Sequence, residues 1–310
     1  MCRHLAYLGP PVTLRALLYD PPHSLLRQSW APRDMRGGGT VNADGFGVGW
    51  YPTASAGTAA LRYRRAQPFW TDTTLAELAA VTTAGGVLAA VRSATVGMPV
   101  LETAAAPFAD GPWLFSHNGV VRGWPDSVAG LAGDLPVTDL LTLDAPTDAA
   151  LLWALVRHRL RAGEEPARAV ADTVAAVAAA APGSRLNLLL TDGRQVVASV
   201  AGHALSVRAG DGAVLLASEP TDDEPGWRGV PDGQLVLATA GGVRFRALPA
   251  PAGRPTDTDH TEGAGDERGA TGDLPGGAGP RPRSAPRRAD RPDRQPEVAA
   301  AEVVLRRPGQ

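Results

Sequence analysis

Two helical stretches lie between two groups of strand-like runs, and that order restricts the fold more than any other feature of the chain. Thr147-Asp148 opens the first stretch, in which Leu151, Leu152, Leu155, Val156 and Leu160 recur at the spacing of one helix face. The second is alanine-rich, extends from about Glu165 to Ala181 and stops at Pro182-Gly183. From Arg185 onward short apolar runs follow one another: Leu186 to Thr191, Val196 to Val200, Leu205 to Val207, Val214 to Ser218, Leu235 to Ala240 and Val243 to Leu248. Asp192-Gly193, Gly210-Asp211-Gly212 and Gly241-Gly242 separate them, as tight turns do. The earlier group holds His4 to Leu8, closed by Gly9-Pro10-Pro11, the glycine-rich run around Val48, Leu61 to Ala66, Gly86 to Val91 and Pro112 to Ser116. Between them Thr13 to Tyr19 reads as a short helix or turn, and Thr73 to Thr82 as a helix with an Asp72-Thr73 cap. Each sheet has to cover an apolar face, so the expectation is an α+β fold of layered sheets with helices outside.

Composition sets the boundaries. Beyond about Pro249 the chain turns to Pro, Gly, Arg, Asp, Thr and Ala, with Leu274 the only large aliphatic residue before Val298. Such a segment cannot bury enough apolar surface to offset its ordering entropy. A folded domain is expected over residues 2–249, followed by a disordered tail over 250–310. Gly37-Gly38-Gly39 is expected to be a mobile loop. A net charge of −2 gives no field that favours nucleic acid or an acidic membrane. No apolar run reaches the ~18 residues of a membrane helix, and no secretory signal is evident, so a cytoplasmic protein is expected. All 30 basic residues are arginine, which excludes a pyridoxal Schiff base, a Walker-A lysine and the kinase strand lysine. The six histidines never fall at i,i+4 spacing and one cysteine alone could join them, so neither a metal nor another cofactor is expected.

That single cysteine, Cys2, becomes residue one if Met1 is removed. A thiol titrating near ~8.5 and an α-amine near ~8 then share a residue and can exchange a proton at neutral pH. Nucleophile and base would be one residue. Glycines 45, 47 and 49 alternate along a strand-like run, which marks a bend or bulge, or the close approach of another backbone or a ligand. Space beside a catalytic residue is the preferred reading. Arg92 follows a buried strand and is either a surface charge or a fork for a ligand carboxylate. Asn118-Gly119 is either a hairpin turn or a pair of donors aimed at one point, as an oxyanion needs. Asp148 sits in the first turn of its helix, where the dipole alone would account for a carboxylate.

Taken together, Cys2, Asp44-Gly45-Phe46-Gly47-Val48-Gly49-Trp50, Arg92-Ser93-Ala94-Thr95-Val96-Gly97, Asn118-Gly119 and Thr147-Asp148 resemble, in that order, the class II glutamine amidotransferases. These are N-terminal-nucleophile hydrolases with a four-layer αββα sandwich of two mainly antiparallel sheets. The resemblance covers about residues 2 to 250. It implies Cys2 as nucleophile and base, Asn118 with Gly119 as the oxyanion hole, Arg92 with Thr95 on the α-carboxylate of a γ-glutamyl group, and Asp148 on its α-ammonium. Met1-Cys2-Arg3-His4-Leu5-Ala6-Tyr7-Leu8-Gly9, Ser29-Trp30-Ala31-Pro32 and Ser218-Glu219-Pro220 are similar to the ergothioneine-pathway branch, which hydrolyses γ-glutamyl-hercynylcysteine sulfoxide.

Many ammonia-donating relatives carry Trp and His where this chain has Ser93 and Val96, a departure that leaves the glutamyl clamp intact. The region after 250 shows no acceptor domain for ammonia, so either a separate synthase takes it or the leaving amine is itself the product. The partner implied is a small γ-glutamyl molecule, with no nucleic acid and no membrane; the sequence is silent on oligomeric state. A stand-alone glutaminase subunit and a non-catalytic binder of γ-glutamyl metabolites are the alternatives. The quaternary ammonium of the implied substrate suits aromatic faces, for which Trp30 and Trp113 are the candidates beside their reading as core packing.

Overall fold

The strand that begins just after Cys2 sits in the middle of one sheet, and its side-chain alternation explains the layering. In β1 (Arg3–Thr13), Leu5 and Tyr7 face one way while Ala6 and Leu8 face the other, and all four are buried. A strand buried on both faces must lie between two layers. The computed structural model describes residues 2–35, 41–52 and 59–249. The expected Gly37-Gly38-Gly39 loop and the expected tail lie outside the described residues.

The chain continues through α1 (Leu14–Leu18), α2 (Leu25–Gln28), β2 (Phe46–Pro52), β3 (Leu61–Arg65), α3 (Thr73–Val81) and β4 (Thr83–Val91). Then come β5 (Phe108–Asp110), β6 (Trp113–Val120), the short helices α4 (Ala129–Gly133) and α5 (Val137–Leu141), and the long pair α6 (Asp148–Arg161) and α7 (Pro166–Ala180). The rest is strand: β7 (Arg185–Thr191), β8 (Gln195–Val200), β9 (Ser206–Gly210), β10 (Ala213–Ala217), β11 (Arg228–Gly229), β12 (Gln234–Thr239) and β13 (Gly242–Ala247). One sheet has the order β11-β9-β10-β1-β4-β2-β3 and the other β13-β12-β8-β7-β6-β5, every pair antiparallel.

Three apolar clusters correspond to the three spaces between four layers. Leu5 and Tyr7 pack with Leu14, Leu17, Leu18 and Leu75 of α1 and α3. Ala6 and Leu8 pack with Leu114, Leu189, Val196 and Ala198 of the opposite sheet. Phe115, Leu188 and Leu190 pack with Leu152, Trp153, Val156, Val170 and Val174 of α6 and α7. The arrangement is the expected αββα sandwich. Helix starts are fixed locally: Thr13, Asp72, Thr147 and Glu165 each accept from a backbone N–H in the first turn, at 3.2, 2.7, 3.3 and 3.0 Å. Caps of this kind contribute about 1 kcal/mol each.

Two local expectations are corrected and one open alternative is closed. β1 does not stop at Gly9-Pro10-Pro11 but runs on to Thr13, with a register shift between Leu8 and Val12 that accommodates the prolines. Asn118-Gly119 is no hairpin turn; both lie within β6, opposite Asn187 and Leu186 of β7. The glycine face of β2 leaves no open space, because a side chain at 47 would run into the carbonyl of Ala106 and one at 49 into Leu114 and Pro107. Close approach of another backbone is what those glycines permit.

Candidate active site

Because side chains alternate along a strand, Cys2 belongs to the face of β1 that carries His4, Ala6 and Leu8, the face between the sheets. Its thiol is half-buried and donates to the carbonyl of Ser93, 3.7 Å away, just past the end of β4. β4 is antiparallel to β1, with Arg3 opposite Val91, so the segment after Val91 comes back alongside the start of the chain. Asp44 fixes that segment at two points. Its backbone N–H donates to Arg92 O at 3.0 Å, and its carboxylate accepts from Ala94 N at 2.7 Å. Gly45, whose φ of 133° suits glycine, accepts from Arg92 N at 2.7 Å through its carbonyl. The Arg92 guanidinium also donates to Pro99 O at 2.9 Å, holding the 92–99 loop back on itself.

One cavity is lined by Cys2, Arg92, Ser93, Thr95, His117, Gly119, Thr147 and Asp148, with Ala106, Phe108 and Met98 among its apolar walls. It brings together residues far apart in sequence: the chain terminus, the β4 end, the β6 end and the N-terminus of α6. Asp148 is buried; its two oxygens accept from Val121 N at 3.0 Å and from Ala149 N at 2.8 Å. Those donors orient the carboxylate and leave lone pairs for a cation. Gly119 is dictated by packing, since any side chain there would overlap the carbonyl of Arg185.

Asn118 does not line the cavity, although both of its neighbours do. Its side chain lies buried between the sheets, where Nδ2 donates to Ser218 Oγ at 3.3 Å. Trp30 and Trp113 are not among the cavity walls either. Trp30 packs edge-on against Trp70, with ring centroids 5.7 Å apart and the Arg27 guanidinium over its face, and Trp113 packs against the helix-side core. Among the described residues, no three of His, Cys, Asp and Glu could together hold a metal ion, and no helix is long and apolar enough to cross a membrane.

The family model of glutamine amidotransferases class-II matches residues 23–210. The chain belongs to the class-II glutamine amidotransferases. Within that family it is similar to the gamma-glutamyl-hercynylcysteine sulfoxide hydrolase of Mycobacterium tuberculosis (strain CDC 1551 / Oshkosh), 43% identical over 250 residues that cover 80% of this chain and 97% of that protein. It is similar also to the protein of the same description from Mycolicibacterium smegmatis, 42% identical over 76% of this chain and 95% of that protein. Among solved structures, a glutamine aminotransferase class-II domain protein from Silicibacter pomeroyi superposes with a TM-score of 0.55 at 23% identity, over 80% of this chain and 100% of that one. The glutamine phosphoribosylpyrophosphate amidotransferase of B. subtilis gives a TM-score of 0.58 at 16% identity, over 80% of this chain and 49% of that one. These two likenesses concern the fold, which this class-II member shares.

Two buried polar clusters flanking β1 were not foreseen from the sequence. On the inner face His4 Nδ1 meets Ser116 Oγ at 3.1 Å, and burial, aided by the nearby His117, His203 and Arg3, pushes its pKa down to about 3. On the outer face Arg3 Nε donates to Glu219 Oε1 at 2.9 Å, with both side chains only 3% exposed. Glu219 also accepts from His23 Nε2 at 3.1 Å and from the backbone N–H groups of Arg33 and Asp34 at 2.7 and 3.0 Å. Arg3 extends further to the carbonyls of Cys2, at 3.1 Å, and of Asp34. The partners are separated by 216 positions, and nothing local in the sequence announces the pairing.

Proposed function

We propose that this chain hydrolyses the γ-glutamyl amide bond of γ-glutamyl-hercynylcysteine S-oxide, giving glutamate and hercynylcysteine S-oxide in ergothioneine biosynthesis, through a thioester on Cys2. The observation that carries the reading is the 43% identity to a hydrolase of that description over 97% of its length. The meeting of a thiol, a guanidinium and a buried carboxylate in one cavity supports it chemically.

With Met1 removed, the Cys2 α-amine takes the thiol proton and the thiolate attacks the γ-carbonyl carbon. Charge develops on the carbonyl oxygen and is met by the Gly119 N–H, at the cavity wall, and by the amide of Asn118, the residue before it, whose side chain is buried behind that wall. The C–N bond then breaks, the α-ammonium protonates the departing amine, and a thioester remains. Water, deprotonated by the α-amine, releases glutamate and restores the thiolate. Arg92 with Thr95 holds the substrate's α-carboxylate, and Asp148 its α-ammonium. Trp30 and Trp113 carry no role in this scheme. The substrate is a small molecule met in the cytoplasm, and residues 2–249 form the catalytic unit to which 250–310 is appended.

The test is an assay of purified protein against glutamine and γ-glutamyl-hercynylcysteine sulfoxide side by side. The sulfoxide is expected to be the better substrate. Glutamine turned over as efficiently as the sulfoxide would point to an ammonia-supplying glutaminase, and no turnover of either to a binder of γ-glutamyl metabolites.

A further inference from the structure

Ser218 uses its whole hydrogen-bonding capacity inside the protein. Its hydroxyl donates to His4 O at 3.3 Å, accepts from His4 N at 3.0 Å and accepts from Asn118 Nδ2 at 3.3 Å. One proton and two lone pairs are then all committed. Its backbone N–H also donates to His4 O at 2.9 Å, so β1 and residue 218 are held as neighbouring strands. Among the described residues, Ser218 is the single hydrogen-bond partner of the Asn118 side chain, whose Oδ1 has none.

We propose that Ser218 is a positioning residue for the oxyanion hole: its hydroxyl fixes the rotation of the Asn118 carboxamide and ties it to the strand that carries Cys2. The inference rests on Asn118 acting as an oxyanion donor. An Asn χ2 torsion is broad and two-fold, so packing alone does not select which end of the amide presents N–H. A hydroxyl whose proton is spent on the His4 carbonyl can only accept, and it therefore faces the NH2 end. One N–H of that group is then held by Ser218, and the second, which has no acceptor among the described residues, is the one an oxyanion would take. Because the same hydroxyl grips the backbone two residues from Cys2, donor and nucleophile are referenced to one atom.

The experiment is a double-mutant cycle with Ser218→Ala, Asn118→Ala and the double variant, reading kcat and KM for the γ-glutamyl substrate, with thermal melting to establish that each variant is folded. Asn118→Ala is expected to lower kcat by about 100- to 1,000-fold. Ser218→Ala is expected to lower kcat by about 10- to 100-fold with KM unchanged, the scale of a misplaced catalytic group. The double variant should be no slower than Asn118→Ala alone, because Ser218 acts through Asn118. An undiminished Asn118→Ala would remove the oxyanion reading itself. A slow Asn118→Ala with an unaffected Ser218→Ala, or with multiplying effects in the double variant, would overturn the positioning role alone. Should Ser218→Ala fail to fold, Ser218→Thr, which keeps the hydroxyl, must stay within a few-fold of wild-type kcat for the proposal to stand.

Discussion

The two faces of the first strand at its start present opposite solutions to burying polar groups. Outward, Arg3 and Glu219 form an ion pair in which the carboxylate is saturated by four donors. Inward, the groups below Cys2 are neutral: burial holds His4 uncharged with a pKa of about 3, and burial together with Arg185 brings His203 down to about 4. There Ser116, Ser218 and Asn118 connect through hydroxyl and amide contacts, with Asn118 Oδ1 and His4 Nε2 left unbonded among the described residues. A saturated carboxylate is a strut, since nothing is left over for a ligand. The carboxylate in the cavity is different: Asp148 accepts one backbone N–H on each oxygen and keeps capacity for a cation. Glu219 is thus spent on the scaffold, whereas Asp148 keeps accepting capacity at the wall of the cavity.

The sharpest way to break that contrast is at the thiol. Cys2→Ala is expected to reduce turnover on the order of 10³-fold or more while leaving the melting temperature near wild type, because among the described residues the half-buried thiol makes one hydrogen bond, the long contact to Ser93 O. Hydrolysis by the Ala variant at the wild-type rate, measured as glutamate release, would sink the thioester scheme. Next in size is Asp148→Asn. Loss of a charged partner for the substrate's ammonium is expected to lower kcat/KM by about 10- to 100-fold, matching the ~1.5–3 kcal/mol of a charge-assisted hydrogen bond, with most of the change in KM. An unchanged KM would mean that Asp148 serves only the start of α6 and the backbone of Val121.

How much of this is legible in the sequence follows the same division. Residues of the cavity wall sit at strand ends or helix starts, where local patterns exist: Arg92 after the apolar run that ends at Val91, Thr147-Asp148 opening a helix, a cysteine at position 2. Those positions do line one cavity. Residues spent on the scaffold pair across more than a hundred positions, as Arg3 does with Glu219 and His4 with Ser116, and period or spacing carries no trace of such partners. The same limit explains the glycine run. Alternation showed that something comes close to β2, yet only the tertiary structure identifies it as the Ala106 carbonyl and Leu114. β5, three residues long, is too short for any periodic signal, and Asn118-Gly119 resembles a turn because a turn dipeptide and two consecutive strand residues are written with the same letters.

Acid is the mildest probe and the one that separates the two faces on a single axis. Below pH 6.5 the unfolded chain protonates His4 and His203, whereas the folded chain resists until about 3 and about 4. Stability from the inner face is therefore complete above 6.5 and declines as pH falls through that window. Glu219 behaves later. Burial alone would raise its carboxyl, but hydrogen bonds from His23 and Arg3 and the Arg3 charge outweigh it and bring the pKa from 4.5 to about 2. Its contribution is present above 4.5 and is lost as pH falls towards 2. At pH 7, Glu219→Gln leaves the Arg3 guanidinium buried without its counter-charge, a loss of about 3–5 kcal/mol and a drop in melting temperature of about 10 °C. Since both proteins keep His4 and His203, and with His23, the direct partner of Glu219, replaced by Gln in both, their melting curves should fall in parallel between pH 6.5 and 4.5, and the gap between them should close only below 4.5. A gap that closes already at pH 6 in a His23→Gln background, where the outer-face histidine bonded to Glu219 is gone, would tie Glu219 to the inner histidines and merge the two faces into one electrostatic unit. His4→Gln should instead flatten the wild-type decline between 6.5 and 4.5 by a smaller amount, leaving the Glu219 step in place.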